Sequence, residues 1–328
     1  MKFVPSYIPL FSSGEFQRRL DALEGKLESC TICPHDCGNN RLRDELARCY
    51  SGRLPIVSSY CQHFGEEPAL GGTSGVGNIF LGNCNLRCVY CQNFQISQNW
   101  REERKNEVSF ERMAEMMLEL QAKGVAAIGF VSPTHFVPQI VRALSLAIPR
   151  GLDLPLIYNT NAYDAVDVLR LLDGIFDIYL PDLKYSEDEY GYTYSKVRSY
   201  TGISREAARE MHRQVGSGLV FGDDGLVKRG LIIRHLVLPN GIASSDETLR
   251  WIASDLDNRV TLSVMSQYYP THKALTTELL DRRIRESEYE KVIGLLDKYG
   301  FENGWAQEFE SQEYYKPDFT DRDEPFKR

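Results

Sequence analysis

Residues 82–93 read Gly-Asn-Cys-Asn-Leu-Arg-Cys-Val-Tyr-Cys-Gln-Asn, which places Cys84, Cys88 and Cys91 at C-x3-C-x2-C spacing. The apolar run 76–81 comes directly before them and predicts a buried strand, so the cysteines are expected on the loop that leaves it. Loops on a rigid scaffold commonly carry reactive groups. In a cubane iron–sulfur cluster each thiolate binds one iron. Three cysteines would therefore hold three irons and leave the fourth open to another ligand.

Two other interpretations of this loop fit its residues less well. A structural zinc ion requires a fourth protein ligand, and a catalytic one usually takes histidine or carboxylate as well. Three buried structural cysteines are the other alternative, because a free cysteine behaves as a small hydrophobe. The polar Asn85 and Arg87 between the cysteines fit a buried helix or strand poorly. We therefore favour a cluster, and expect Cys84, Cys88 and Cys91 to be both metal ligands and the catalytic centre.

A second set of cysteines precedes this loop at C-x2-C-x3-C-x11-C spacing: Cys30, Cys33, Cys37 and Cys49. Four thiolates can close a tetrahedral zinc site or hold a second iron–sulfur cluster, and the spacing leaves both open. A reduced loop without metal is the third alternative. A short polar segment has little core of its own, so a metal would supply the missing cross-link. Cys61 and His63 follow, either as exchanged ligands or as structural residues.

Composition limits the class of protein. The chain has 328 residues, enough for one large or two modest domains, and 42% are hydrophobic. Lys and Arg number 38 against 46 Asp and Glu, a net charge of −8 that argues against a nucleic-acid partner. No secretory leader or membrane-length apolar run is visible, so we expect a cytoplasmic protein without a membrane partner. Eight cysteines in short-spaced sets favour metal over disulfides.

From residue 76 onwards, apolar runs of strand length alternate with amphipathic helical stretches. The predicted strands are 76–81, 126–131, 154–158, 176–180, 231–238 and 260–265, and the predicted helices are 13–29, 109–123, 138–147, 162–172, 204–215, 247–255 and 287–299. Such βα units indicate parallel strands with right-handed crossovers. The Asp-Gly within 217–229 predicts a β-hairpin. The aromatic tail is expected to pack back on the sheet through Trp305, Phe309, Tyr314, Tyr315 and Phe319.

The predicted fold class is therefore α/β, a partial (β/α)6 TIM-like barrel with an N-terminal Cys-rich metal-binding segment. We expect three regions. Residues 1–75 form the N-terminal extension, 76–272 the barrel, and 273–328 a helix and tail that pack on it.

Polar side chains stand at the carboxyl ends of the predicted strands, where parallel barrels carry their sites. They are Ser132, Thr134, Asn159, Asn161, Asp182, Lys184, Arg234 and His272. Loops are polar in any protein, but charges on or beside apolar strands, such as Asp177 and Arg234, need an ion partner or a ligand. For Asp182 and Lys184 a mutual ion pair is the structural alternative to ligand binding. Glu66 and Glu67 in the glycine-rich stretch 62–77 are either acid–base groups or exposed loop acids.

The cysteine loop, with Tyr90 before the last cysteine, resembles the signature of the radical S-adenosylmethionine (radical SAM) superfamily. The resemblance implies that the open iron of a [4Fe–4S] cluster binds the amino and carboxylate groups of SAM. It also implies reductive cleavage of SAM to a 5′-deoxyadenosyl radical that abstracts a hydrogen atom. An electron donor such as flavodoxin or ferredoxin would supply the electron.

Over nearly the whole chain the sequence looks most like the pyruvate formate-lyase activating enzyme-related group. The matching runs include the four N-terminal cysteines, Glu66-Glu67-Pro68, Cys84 to Asn93, Pro133-Thr134-His135, Asn159-Thr160-Asn161, Tyr179 to Lys184, Arg234-His235-Leu236 and Gln267-Tyr268. The resemblance implies a SAM site formed by Tyr90, Asn93, Ser132, Thr134, Asn159, Asn161, Asp182, Lys184, Arg234 and His272. Within it, Ser132 and Thr134 would lie near the amino group, and Asp182 and Lys184 near the carboxylate. Asn159 and Asn161 would lie near the ribose, and Arg234 and His272 near the ribose or adenine. The sequence differs where Ser-Pro-Thr replaces the usual Gly-Gly-Glu.

The expected function is hydrogen abstraction from a protein, peptide or other substrate by a radical SAM enzyme of oxidoreductase type. A glycyl-radical-enzyme activase is the narrower alternative. A non-catalytic iron–sulfur or zinc scaffold or sensor is the other, although the polar strand ends look complete for a SAM site.

Overall fold

A mixed sheet organises the protein, whose computed structural model describes residues 3–313 and 316–326. Within those residues nine strands belong to it: β1 (Val57–His63), β2 (Val76–Leu81), β3 (Ile128–Val131), β4 (Leu156–Thr160), β5 (Ile178–Pro181), β6 (Val220–Phe221), β7 (Val227–Leu236), β8 (Thr261–Met265) and β9 (Gly304–Ala306). Their order is β1-β2-β3-β4-β5-β7-β8-β9, with β6 paired to β7. Neighbours from β2 to β9 on this path are parallel, whereas β1 is antiparallel to β2.

Each of the six predicted strands overlaps an observed parallel strand, so the α/β class with a parallel sheet is confirmed. The predicted hairpin is confirmed as well, since β6 pairs antiparallel with β7. The sheet nevertheless extends beyond six strands at both ends. β1 carries Ser58, Ser59 and Gln62 and lacks an apolar run, and β9 has only three residues, so neither gave a strand signal.

Helices follow the strands as βα units require. They are α1 (Tyr7–Ser12), α2 (Glu15–Gly25), α3 (Pro68–Gly71), α4 (Phe94–Ser97), α5 (Trp100–Glu103), α6 (Phe110–Ala122), α7 (Val137–Ala147), α8 (Val166–Leu171), α9 (Asp188–Ser195), α10 (Tyr200–Val215), α11 (Ser245–Trp251) and α12 (Glu286–Tyr299). The α6 helix begins where the Ser109 side chain accepts a hydrogen bond from Arg112 N at 3.1 Å, and it buries Met113, Met117 and Leu120 at helical spacing.

The sheet is apolar on both faces, and the second face positions the site. Alternate strand residues such as Ile79 and Phe130 pack with the helices in the main core. The opposite face carries a smaller apolar cluster: Leu70, Val76, Ala127, Ile157, Ile178, Leu180, Val227 and Ile232. Side chains two residues apart in a strand share a face. Asn159 comes two residues after Ile157, and Arg234 comes two residues after Ile232. Both side chains therefore lie on the same face of the sheet as this smaller apolar cluster.

Segments from both chain ends pack on this sheet. Ser6 N donates to Asp177 Oδ1 at 2.9 Å, so Asp177 anchors the N-terminal segment rather than facing the carboxyl ends of the strands. In the tail, Phe319 and Phe326 pack against Phe80. Tyr314 and Tyr315 lie outside the described residues.

Two further aromatic residues of the tail lie nearby, one of them in a strand although the tail was expected to be irregular. Trp305 lies in β9, and Phe309 packs against Tyr289. In the part of the chain that the structure describes, no helix has the length and apolar character to cross a membrane.

Candidate active site

The loop after β2 buries the sulfur atoms of the C-x3-C-x2-C motif. Cys84 and Cys88 are 9% exposed, and Cys91 is partly buried. Each sulfur has a polar neighbour. Cys84 Sγ lies 3.4 Å from Leu86 N and 3.5 Å from Asn161 Nδ2. Cys88 Sγ lies 3.0 Å from Ser195 Oγ, and Cys91 Sγ lies 3.2 Å from Ser97 Oγ.

These surroundings suit an iron–sulfur cluster. Burial raises the pKa of all three thiols, that of Cys88 to about 12, so free thiolates would be costly here and metal-bound ones would not. Hydrogen bonds to cluster sulfurs are a common way for a protein to tune such a centre. Lys184 adds a positive charge that acts on all three thiols and favours their ionised form. The donor set therefore fits three irons of a four-iron cluster.

Contacts with other segments hold the loop in place. Arg87 Nη1 donates to Cys84 O at 2.6 Å, and Arg87 Nη2 donates to Arg48 O at 2.8 Å. The Tyr90 hydroxyl lies 2.6 Å from that of Tyr185, and its ring packs edge-on against Tyr268. Tyr90 thus supports the loop from the core side. A site held from several directions is preorganised for ligand binding.

A cavity of about 500 Å³ adjoins this loop at the carboxyl ends of the strands. Gln92 and Asn93 of the loop line it, together with strand residues that include Asn159 and Arg234. Trp305 of β9 and Phe326 of the tail form part of its apolar wall. Most of the other lining residues are polar, so the cavity can offer hydrogen bonds to a polar ligand.

The polar part of this cavity is centred on Arg234. Its Nε donates to Glu67 Oε1 at 2.8 Å, and its Nη2 contacts both Glu66 and Glu67. Asn78 Nδ2 donates to Glu66 Oε1 at 2.6 Å. Burial opposes ionisation of Glu66, but Arg234 lowers its pKa to about 2. Burial also lowers the pKa of His63, so we take His63 as neutral and assign the stabilisation of Glu66 to Arg234.

Glu66 and Glu67 are therefore buried acids rather than exposed loop acids. Two carboxylates share one guanidinium, which leaves one negative charge beside the cavity. The sequence analysis named each of these residues as a candidate. It did not predict their ion cluster, because Glu67 and Arg234 are 167 residues apart and no local pattern links them.

Thr134 and Asn161 make internal contacts. The Thr134 hydroxyl donates to Asp164 Oδ1 at 2.7 Å, as does Tyr158 at 2.8 Å. Asn161 Nδ2 donates to Asn85 Oδ1 at 2.8 Å and also faces Cys84 Sγ, so it borders the cysteine loop. Asp164 was not expected at the site. It is buried, and no sequence pattern marks it.

The other predicted cofactor residues lie around the same end of the sheet. Lys184 Nζ donates to Asp182 Oδ2 at 2.7 Å, with the two side chains 15% and 26% exposed. Burial acts to lower the pKa of Lys184, but the negative charge of Asp182 holds it above its usual value. Ser132 has a φ of 57°, and its amide donates to Asn159 O at 2.9 Å. His272 stacks on Phe94 with ring centroids 4.9 Å apart.

Comparison with known proteins places the chain in a family. The family model described as the radical SAM superfamily matches residues 78–217. A protein of Methanocaldococcus jannaschii, Uncharacterized protein MJ0674, is 30% identical over 295 residues, which cover 87% of this chain and 79% of the relative. This chain belongs to the radical SAM superfamily. As a member it is a radical SAM enzyme, with a [4Fe–4S] cluster and SAM as its cofactors.

Two solved structures are similar over part of the chain. Streptococcus suis SuiB bound to precursor peptide SuiA has a TM-score of 0.47 at 10% identity, covering 69% of this chain and 47% of SuiB. TYW1 with a lysine-pyruvate adduct bound has a TM-score of 0.40 at 12% identity, covering 67% of this chain and 73% of that one. Both TM-scores are low, so neither likeness supports a conclusion about this chain.

Proposed function

We propose that Cys84, Cys88 and Cys91 hold the [4Fe–4S] cluster and that SAM and a second substrate meet in the adjoining cavity. The observation that carries the proposal is the position of the three buried sulfur atoms, each beside a hydrogen-bonding group, in a loop that also lines a cavity of about 500 Å³. When bound, the cluster supplies the electron that cleaves SAM, and the released adenosyl fragment abstracts a hydrogen atom from the substrate.

The residues of the chain would bind and orient the two ligands. Lys184 provides a cation near the three thiols, where it can bind the SAM carboxylate, and Asp182 can face the ammonium or sulfonium side. Asn93, Asn159 and Arg234 line the cavity and can form hydrogen bonds with the ribose or adenine.

We also propose the narrower assignments that the sequence pattern supports. The protein would belong to the pyruvate formate-lyase activating enzyme-related group, receive its electron from a flavodoxin or ferredoxin in the cytoplasm, and act on a protein, peptide or other substrate. Buried Glu66 and Glu67, which belong to one of the runs shared with that group, support this assignment. Activation of a glycyl radical enzyme is one form that the activity can take.

Anaerobic reconstitution with iron and sulfide, followed by reduction and an assay for 5′-deoxyadenosine, tests the proposal. We expect the wild-type protein to form the nucleoside from SAM, and the variant with Cys84, Cys88 and Cys91 changed to Ala to form none. Cys61→Ala is the matched control, because Cys61 is equally buried but packs beside Phe80, outside both cysteine sets. Nucleoside formation by the triple variant would overturn the assignment of these ligands.

A further inference from the structure

Helix α9 ends against the cysteine loop that follows β2. The last carbonyl groups of a helix have no partner within the helix. In α9, two of them accept hydrogen bonds from the loop instead. Tyr194 O accepts from Val89 N at 2.8 Å, and Ser195 O accepts from Arg87 N at 3.0 Å. The two amides flank Cys88 in the sequence, so the end of α9 is held opposite that cysteine.

Arg48, from the N-terminal cysteine segment, braces the same junction. Its Nη2 donates to the carbonyl of Lys196, the residue after α9, and Arg48 O accepts from Arg87 Nη2 at 2.8 Å. The cysteines of this segment line one cavity of about 10 Å³, and a metal on them stays a prediction: Cys30, Cys33, Cys37 and Cys49. Three chain segments therefore fix where the end of α9 lies against the loop.

A line of three hydroxyl groups leads from Tyr90 to the sulfur atom of Cys88. The Tyr90 hydroxyl lies 2.6 Å from that of Tyr185. The Tyr185 hydroxyl lies 2.9 Å from Ser195 Oγ, which in turn lies 3.0 Å from Cys88 Sγ. All four residues are buried. The line thus leaves the cysteine loop at one residue and returns to it two residues away, through the β5–α9 connection and the end of α9.

Ligation of iron by Cys88 fixes the direction of every hydrogen bond in this line. Each of the three contacts needs one hydrogen. A metal-bound thiolate carries none and can only accept, whereas each hydroxyl carries one. The hydrogen of Ser195 must therefore point to Cys88 Sγ. The Tyr185 hydrogen then points to Ser195 Oγ, and the Tyr90 hydrogen points to Tyr185.

We propose that Ser195 and Tyr185 are positioning residues that raise the reduction potential of the cluster bound by Cys88. An O–H group directed at a thiolate stabilises its negative charge. The reduced cluster carries one more negative charge than the oxidised one, so the bond favours the reduced form. The inference rests on the function proposed above, because that function assigns the cluster to Cys88.

Tyr185 acts on the cluster through Ser195. Its hydrogen bond turns a lone pair of Ser195 Oγ towards Tyr185, which leaves the serine hydrogen directed at the sulfur atom. Hydrogen bonds in a chain also polarise one another, so the bond to the sulfur is stronger with Tyr185 in place. Tyr185 follows Lys184 directly, so the β5–α9 connection contributes both to the proposed SAM site and to this line.

Redox titration of the anaerobically reconstituted protein, monitored by electron paramagnetic resonance, tests the proposal. We expect Ser195→Ala to bind as much iron as the wild type and to have a lower reduction potential. Tyr185→Phe should lower the potential by a smaller amount, although its hydroxyl contacts Ser195 and not the sulfur atom. An unchanged potential in either variant would overturn the proposal.

Tyr268→Phe is the matched control for the loss of a buried hydroxyl. The Tyr268 ring is buried and packs edge-on against Tyr90, but its hydroxyl donates to Leu280 O at 2.6 Å, outside the line. We expect the potential of this variant to equal that of the wild type. A shift as large as that of Tyr185→Phe would show a general effect of losing a buried hydrogen bond, which contradicts the proposed line.

Iron content and circular dichroism keep the test valid if one variant is disturbed. Should Ser195→Ala fail to bind iron, Tyr185→Phe provides the test, because it keeps Ser195 and both backbone bonds between α9 and the loop. Loss of iron by both variants would show that the two hydroxyls are needed for cluster assembly rather than for its potential, and would overturn the proposal. Failure of the function proposed above would instead appear as nucleoside formation by the variant with Cys84, Cys88 and Cys91 changed to Ala.

Discussion

Lys184→Met separates ligand binding from structural stabilisation at the proposed SAM site. Lys184 and Asp182 form an ion pair of 2.7 Å with side chains 15% and 26% exposed, so the pair lies between a surface and a buried salt bridge. Surface pairs contribute about 0–1 kcal/mol and broken buried pairs cost about 3–5 kcal/mol. Because Asp182 retains access to water, we expect the variant to lose only about 1 kcal/mol of unfolding free energy.

The effect on SAM should be larger. Loss of a charge-assisted hydrogen bond costs about 1.5–3 kcal/mol, since the carboxylate of SAM would lose its cation. A loss of about 2 kcal/mol corresponds to a rise of about 30-fold in the Kd for SAM. The removed charge also acts on all three cluster thiols, so the reduction potential of the cluster should fall.

Titration of the reconstituted variant with SAM, beside a urea unfolding curve, measures both quantities. Lys228→Met is the matched control, because Lys228 pairs with Asp224 at 2.8 Å and is 12% exposed, but lies in the β6–β7 hairpin. The control should lose similar stability and no SAM affinity. If Lys184→Met lowers stability by several kcal/mol and leaves SAM affinity unchanged, Lys184 is a structural residue and our reasoning is refuted.

Two further predictions concern buried charges. Burial raises the pKa of Asp177 from 3.8 to about 6, so this carboxyl favours the folded state below pH 4 and this contribution is lost as the pH rises through about 6. Over that pH range the free energy of unfolding of the wild type should fall by about 3 kcal/mol, whereas that of Asp177→Asn should not. Urea unfolding at several pH values measures this, and the same pH dependence in both proteins would contradict the prediction. Arg234→Met leaves Glu66 and Glu67 buried without their cation and should cost about 3–5 kcal/mol, while the added changes Glu66→Gln and Glu67→Gln should restore most of that loss. Denaturant unfolding measures the free energy of unfolding of both variants. If the single and the triple variant lose the same stability, the buried carboxylates do not depend on Arg234.

Local sequence determined the parts of this protein whose signals are short-range. Strand β2 has the predicted bounds because its largely apolar residues are buried on both faces, and the other predicted parallel strands follow from the same pattern. The cysteine spacing predicted the loop and the cluster ligands proposed for it, since three thiolates within one loop need no tertiary contact to be near one another.

Tertiary structure alone decided which polar residues meet. Arg234 binds Glu66 and Glu67, which lie 168 and 167 residues away in the sequence, and Thr134 donates to Asp164. These hydrogen bonds could not be predicted from the positions of the residues at strand ends. His135 follows strand β3, at a position where residues that face a substrate are expected. Its ring instead contacts Gly82 O and lines the small cavity beside Cys30, Cys33, Cys37 and Cys49. Periodicity specifies which face of a strand is apolar, whereas the partner of a buried charge depends on how distant segments pack.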